Sequence, residues 1–201
     1  MTLDRAGLPF VFGLGAFVLV LLWPAPLMAA VAAVLLVFTL NFFRDPERRT
    51  PEEPGAFFSP ADGRIVRADK ERVSVFMNVL DVHVCRSPVG GSVMSVGHEP
   101  GRFLAAMKDE SSEQNERTTI VVQPQDGASV RFVLVAGLVA RRIVCRVAVG
   151  QRLRSGERVG IIRFGSRVDL DLPPGATPSV RVGDRVVAGE TVVARSGRAS
   201  A

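Results

Sequence analysis

Few residues in this chain could do covalent chemistry, and the best placed of them is Ser166. It follows Gly165 in Phe164-Gly165-Ser166-Arg167-Val168-Asp169, where an apolar run, Val159-Gly160-Ile161-Ile162-Arg163-Phe164, comes to its end. A Gly–Ser peptide can make its own electrophile. The hydroxyl attacks the preceding carbonyl, which a glycine leaves sterically open. The bland alternative for the hexapeptide is a tight turn between two strands. The remaining inventory is short. The only histidines are His83 and His98, and an imidazole suits proton transfer near neutral pH. They have no HExxH or Cys/His spacing, so no metal site is expected. Asp62 precedes Gly63 and is either an acidic partner for a histidine or an ordinary Asp-Gly turn residue. There is no Walker loop and no lysine placed for carbonyl chemistry. Cys85 and Cys145 suggest neither a disulfide framework nor a CxxC motif. They read as reduced thiols facing the cytosol, with Cys85 a buried small hydrophobe.

The elements that would position these residues are short strands. Alternating runs occur at Gly63–Ala68, Arg72–Asn78, Ser92–Val96, Thr118–Val122, Ser129–Val135 and Val144–Val149, each bounded by Gly, Pro, Asp or Asn. That pattern predicts a compact all-β domain. One helix is expected around residues 102–108, and residues 109–117 read as a polar loop. A weak repeat also runs through the C-terminal third. Residues 149–159 recur as residues 182–192 in the form G-x-x-φ-x-x-G-E-x-V, where φ is apolar. Such paired hairpins are typical of barrel-sandwich folds, including those of lipoyl and biotinyl carriers. A membrane-anchored, non-enzymatic carrier or adaptor module is therefore the alternative function. Against the carrier version, the only lysines are Lys70 and Lys108, and neither lies in a hairpin resembling a carrier site.

The chain has 201 residues, 47% of them apolar, and a formal net charge of +5. Much of the apolar excess lies before residue 44. No charge occurs from Gly7 to Phe43, a run that would be about 55 Å long as one helix. Trp23-Pro24-Ala25-Pro26 breaks it, leaving two apolar arms, Leu8–Leu22 and Leu27–Phe43. Each is short for a hydrocarbon core of about 30 Å, so a shallow hairpin competes with two spans. The run is too long for a secretory signal and lacks a small-residue cleavage site. Arginines flank it on both sides: Arg5 before, then Arg44, Arg48 and Arg49, read as membrane-surface contacts. Both ends are therefore expected in the cytoplasm. The domains expected are a hydrophobic hairpin over residues 1–45 and a β-rich domain over 46–201. The dispersed arginines and the absence of an RNA-binding aromatic signature argue for an anionic membrane surface over nucleic acid.

Four segments, taken in order, resemble the phosphatidylserine decarboxylase family in its short form. They are Ser59-Pro60-Ala61-Asp62-Gly63, Asp81-Val82-His83-Val84-Cys85-Arg86-Ser87-Pro88, Asn115-Glu116-Arg117 and Phe164-Gly165-Ser166-Arg167-Val168-Asp169. Pro100-Gly101-Arg102-Phe103 is also similar, and the resemblance covers roughly residues 40 to 195. It implies a proenzyme that cuts itself at Gly165–Ser166, turning Ser166 into a covalent pyruvoyl group. Residues 1–165 and 166–201 then remain associated, with higher oligomers left open. The processed enzyme would convert phosphatidylserine in the membrane into phosphatidylethanolamine and CO2. His83 matches the family's motif histidine, the proton donor to the carbanion, and is a candidate base for Ser166. Asp62 matches the acidic residue that orients it. Longer family members carry a second histidine where this chain has Arg86, so either His83 does both jobs or His98 takes one. Asn115, Glu116 and Arg117 would brace the site or meet the lipid headgroup, with a solvated charged loop as the alternative.

Overall fold

A computed structural model of the chain describes residues 2–101, 114–137, 142–163 and 166–197. The chain divides into two compact units, Met1–Glu47 and Arg48–Ala201. The helix expected at 102–108 lies outside the described residues.

In the first unit, α1 (Leu8–Leu21) and α2 (Pro26–Phe42) form the hairpin, each with a proline in its first turn, where no N–H is needed. Asp4 caps the turn before α1 by accepting the Ala6 N–H at 2.8 Å. A two-residue ladder, β1 (Thr2–Leu3) with β2 (Arg44–Asp45), ties the ends of the hairpin together. The Phe10 and Phe43 rings stack with centroids 5.7 Å apart. Most of the outer surface is apolar, and Trp23 at the tip is 95% exposed. Among the described residues no helix is long and apolar enough to cross a membrane.

The second unit is mainly β and antiparallel throughout its ladders, a sandwich-like arrangement of one large and two small sheets. Its strands are β3 (Ala56–Phe58), β4 (Gly63–Ala68), β5 (Arg72–Met77), β6 (Val84–Arg86), β7 (Gly91–Glu99), β8 (Arg117–Gln123) and β9 (Val130–Ala136). They continue with β10 (Ile143–Cys145), β11 (Arg152–Leu153), β12 (Arg158–Ile162), β13 (Ser166–Asp171), β14 (Thr177–Pro178), β15 (Arg185–Val186) and β16 (Val192–Arg195). The large sheet runs β11-β7-β8-β9-β13-β5-β4-β15, and the small ones β10-β12-β6 and β14-β16-β3. Alternation along the strands sends Val73, Val75, Val93, Ile120, Phe132, Leu134, Val168 and Leu170 into one shared core. The expected strand at Val144–Val149 stops at Cys145. Val149 and Gly150 form a turn, with the Gly150 N–H donating to Val93. Arg117, expected in a loop, opens β8. Lys70 does stand in the β4–β5 turn, between Asp69 and Glu71.

The order of the sheets is its own reverse. Reflecting the large sheet about its β9–β13 centre exchanges β4 with β7, β5 with β8 and β15 with β11, while the two small sheets exchange with each other. Hydrogen bonds repeat in the same way. Ile65 N–H donates to Asp184 O at 2.9 Å and its carbonyl accepts from Gly183 at 2.8 Å; Val93 does the same with Gln151 and Gly150 at 2.9 and 2.8 Å. Ser59 Oγ reaches Ala61 O and Ser87 Oγ reaches Val89 O, each at 2.7 Å. The domain is thus a doubled unit. Ser59-Pro60-Ala61-Asp62-Gly63 is the counterpart of Ser87-Pro88-Val89-Gly90-Gly91, a correspondence the sequence reading missed. The repeat glycines Gly156 and Gly189 both have φ of +73°, and a Cβ on Gly189 would lie 3.1 Å from Gly156 Cα. The two turns meet there, and only glycine allows both the backbone conformation and the approach.

Candidate active site

Ser166 opens β13, between Met77 of β5 and Ala136 of β9, and is fully buried. Its hydroxyl lies 4.0 Å from the Met77 thioether, a weak acceptor. The chain then leaves Met77 through the tight turn Asn78–Asp81 and arrives at His83. There the His83 carbonyl accepts the Ile162 N–H at 3.3 Å. Residues 77 to 83 are therefore pinned at one end opposite Ser166 and at the other opposite Ile162. The two anchors bracket the peptide that joins Ile162 to Ser166. Gly165 itself lies outside the described residues.

His83 is fully buried. Its Nδ1 lies 2.9 Å from the Asp81 carbonyl. A carbonyl can only accept, so Nδ1 carries a proton, and the tautomer this selects for a neutral ring has its basic nitrogen at Nε2. Asp81 is itself fixed. Its carboxylate accepts from Asn78 N–H at 2.9 Å and from Arg185 at 3.2 Å. Main-chain Asp81 thus sets the tautomer, a role its place in the DVHV segment did not reveal.

Asp62 is held from two sides. Oδ1 accepts the Ala188 N–H at 2.8 Å, and Oδ2 accepts from Arg48 at 2.7 Å. Arg48 was expected at a membrane surface, but it is largely buried and lies 3.8 Å from Glu190 as well. The Arg49 N–H donates to the same Glu190 at 2.9 Å. Asp62 also bears on Cys85. Burial above all, then repulsion from the Asp62 carboxylate and from Cys145, pushes the Cys85 thiol far above its usual range.

The doubled fold supplies an internal control. The counterpart of Asp62 is Gly90, and a Cβ there would sit 3.4 Å from the N–H of Ser155, the counterpart of Ala188. The counterpart of His83 is Gly55, whose carbonyl accepts from Ser196 as that of His83 accepts from Ile162. Each turn occurs in both halves, and glycine closes one copy of each: Gly90 stands opposite Asp62 and Gly55 opposite His83, in different halves. The architecture does not demand an imidazole or a carboxylate at these points.

Asn115 is buried and donates to the Ala136 carbonyl at 2.7 Å, while Ala136 N–H donates to Glu116 O at 2.9 Å. Ala136 is the cross-strand partner of Ser166, so this pair fixes the end of β9 beside it. Arg117 is paired with the Glu99 carboxylate, and that hydrogen bond holds Glu99 below the usual carboxylate range. Arg86 is buried and donates to Gly156 O at 2.9 Å, packing over Gly189 where the two repeat turns meet. Its place is in the frame. His98 is half exposed on β7, with Thr118 at 3.1 Å and Glu116 at 4.0 Å. It is three strands from β13, or about 14 Å at the usual strand spacing. The chain path anchors His83 opposite Ile162, four residues before Ser166, and His98 lies three strands from β13.

The family model described as phosphatidylserine decarboxylase matches residues 35–194. The phosphatidylserine decarboxylase proenzyme of Desulfotalea psychrophila is 45% identical over 203 residues, covering 94% of this chain and 94% of the relative. That of Oleidesulfovibrio alaskensis is 49% identical over 177 residues, covering 83% and 81%. The proenzyme of Paramagnetospirillum magneticum is 44% identical over 208 residues, covering 96% and 86%.

Proposed function

Because the chain belongs to the phosphatidylserine decarboxylase family and is a decarboxylase, we propose that it is a self-cleaving, pyruvoyl-dependent enzyme that makes phosphatidylethanolamine and CO2 from phosphatidylserine. The carrier or adaptor alternative falls with that membership. The observation that carries the reading is the double pinning of residues 77–83 around the Ile162–Ser166 segment. It supports a role for the buried His83 in the chemistry of Ser166.

Processing follows from the residues. Nε2 of His83 takes the Ser166 hydroxyl proton, and Oγ attacks the Gly165 carbonyl, so the acyl group moves from N to O. β-Elimination then breaks the Cβ–Oγ bond, leaving a carboxylate on Gly165 and a dehydroalanine at residue 166. Water enters and ammonia leaves, giving the pyruvoyl carbonyl. The residues fit the group. It needs no more room than serine, and residue 166 is buried and held by strands on both sides. When formed, it supplies a carbonyl that captures the substrate amine and an electron sink for the carbanion left by CO2 loss. His83 then returns a proton to that carbon, with Asp62, paired to Arg48, as its acidic partner. Asn115 and Glu116 steady β9.

The hairpin, with α1 and α2 about 21 and 26 Å long at 1.5 Å per residue, enters one leaflet and keeps the catalytic domain on the cytoplasmic face. The two cleavage products form a heterodimer. Ser166→Ala tests the reading. The variant stays an intact chain and releases no CO2 from phosphatidylserine vesicles. A Ser166→Ala chain that decarboxylates at the wild-type rate sinks it.

A further inference from the structure

Two apolar side chains next to the site have no place in the core. Val79 is 44% and Leu80 is 59% exposed, at the tip of the Asn78–Asp81 turn. The turn is stiff. Asn78 Oδ1 accepts from Leu80 N–H at 2.8 Å, and Asp81 Oδ2 accepts from Asn78 N–H at 2.9 Å. A flexible loop could fold its apolar residues back; this one holds them out.

The neighbouring turn, Arg181–Asp184, presents Val182, which is 65% exposed. Arg185, just after the second turn, lies 3.2 Å from Asp81 of the first, and Arg64 of β4 donates to Gly183 O at 3.1 Å. Arg64, Arg181 and Arg185 are all exposed around the apolar tips. The acids among them, Asp81 and Asp184, both accept main-chain N–H groups within their turns. The surface is an apolar tip rimmed by arginine, the composition that suits an anionic lipid interface.

The other half of the doubled fold shows that the architecture does not require it. Phe76 and Gln123 are counterparts, because a Cβ on Gly63 or Gly91 would meet the carbonyl of one or the other. Counting on from them, Val79 and Leu80 correspond to Asp126 and Gly127. At this turn one half has an apolar tip and the other a polar one, and the apolar tip lies on the segment that carries His83. The second tip does not differ in this way, since Val149, the counterpart of Val182, is exposed to the same extent.

We propose that Val79, Leu80 and Val182, with Arg64, Arg181 and Arg185, form a second membrane contact, on the catalytic domain itself. It holds the turn that leads to His83 against an anionic bilayer, so that a headgroup is presented to the site without its acyl chains leaving the lipid. This rests on the lipid-decarboxylase reading for its purpose, while its test is independent of activity.

The test uses the full-length protein with Trp23→Phe, which removes the only tryptophan, and Leu80→Trp as the probe. Vesicles of phosphatidylcholine and phosphatidylglycerol carry bromine on their acyl chains, and Asp126→Trp in the same background is the control. The expected result is a blue-shifted Leu80→Trp emission that the brominated lipid quenches severalfold more than the control. Equal quenching at the two positions overturns the proposal. So does a Leu80→Trp signal shielded from aqueous iodide but untouched by brominated lipid, which would mean that protein covers the tip. Subunit masses from the same preparation judge the cleavage reading separately, since quenching decides docking whether or not the chain is cut.

Discussion

Asp62 and Arg48 make a pair that sequence composition could not reveal. Arg48 lies beside other arginines after an apolar run, where a membrane contact is the natural reading; its carboxylate partner is 14 positions away and becomes its neighbour only through the fold. A charge-assisted hydrogen bond of this kind is worth about 1.5–3 kcal/mol. If Arg48 acts through Asp62, Arg48→Gln slows self-cleavage roughly tenfold or more, Arg48→Lys restores most of the rate, and thermal melting changes little. Subunit formation followed over time checks this, and equal rates for wild type and Arg48→Gln would refute it. Cys85 gives a second prediction. Burial and the nearby carboxylate disfavour its thiolate, so iodoacetamide at mildly alkaline pH leaves it unlabelled in the folded protein and labels it after denaturation. Mass mapping of the alkylated peptides decides, and rapid labelling of Cys85 in the folded state would contradict its burial. Ser166, His83 and Asp62 were all legible as candidates in the sequence. Asp81 was not, since its contribution to His83 is a main-chain carbonyl, which no side-chain pattern encodes.

At the scale of elements, strands with strict alternation could be read directly; the run predicted at Gly63–Ala68 is β4 to the residue. Val144–Val149 could not, because apolar residues continue past the point where the chain must turn to bond with Val93. The glycine repeat was visible as spacing and hinted at the doubling. Its partner repeat, S-P-x-x-G, escaped notice because Asp62 in one copy is Gly90 in the other. That difference gives a paired prediction. Gly189→Ala forces a side chain into a left-handed turn against Gly156 and Arg86, costing about 1–2 kcal/mol for the backbone alone. Gly90→Ala meets only ordinary contacts of 3.4 Å or more and changes stability by about 0.5 kcal/mol or less. Chemical denaturation of the Ser166→Ala proenzyme, which stays one chain, measures both. Equal losses would contradict the account of the turn contact.

The whole molecule joins a greasy hairpin to a doubled β domain whose two halves differ at the candidate site residues. The hairpin was legible from the lack of charge and the paired prolines, and its shortness from arithmetic on helix rise. The three-dimensional doubling was not, since it rests on hydrogen bonds between residues more than a hundred positions apart, such as Ile65 with Asp184. A doubled frame can hold asymmetric residues: Asp62 faces a glycine counterpart in Gly90 and His83 one in Gly55, one glycine in each half. The proposed chemistry depends on a single bond breaking. The most direct measurement is the intact mass of the full-length protein purified from membranes and resolved into subunits. The account predicts two chains divided at Gly165–Ser166, the smaller beginning with a pyruvoyl group in place of serine. An active preparation containing only the uncut 201-residue chain would contradict it.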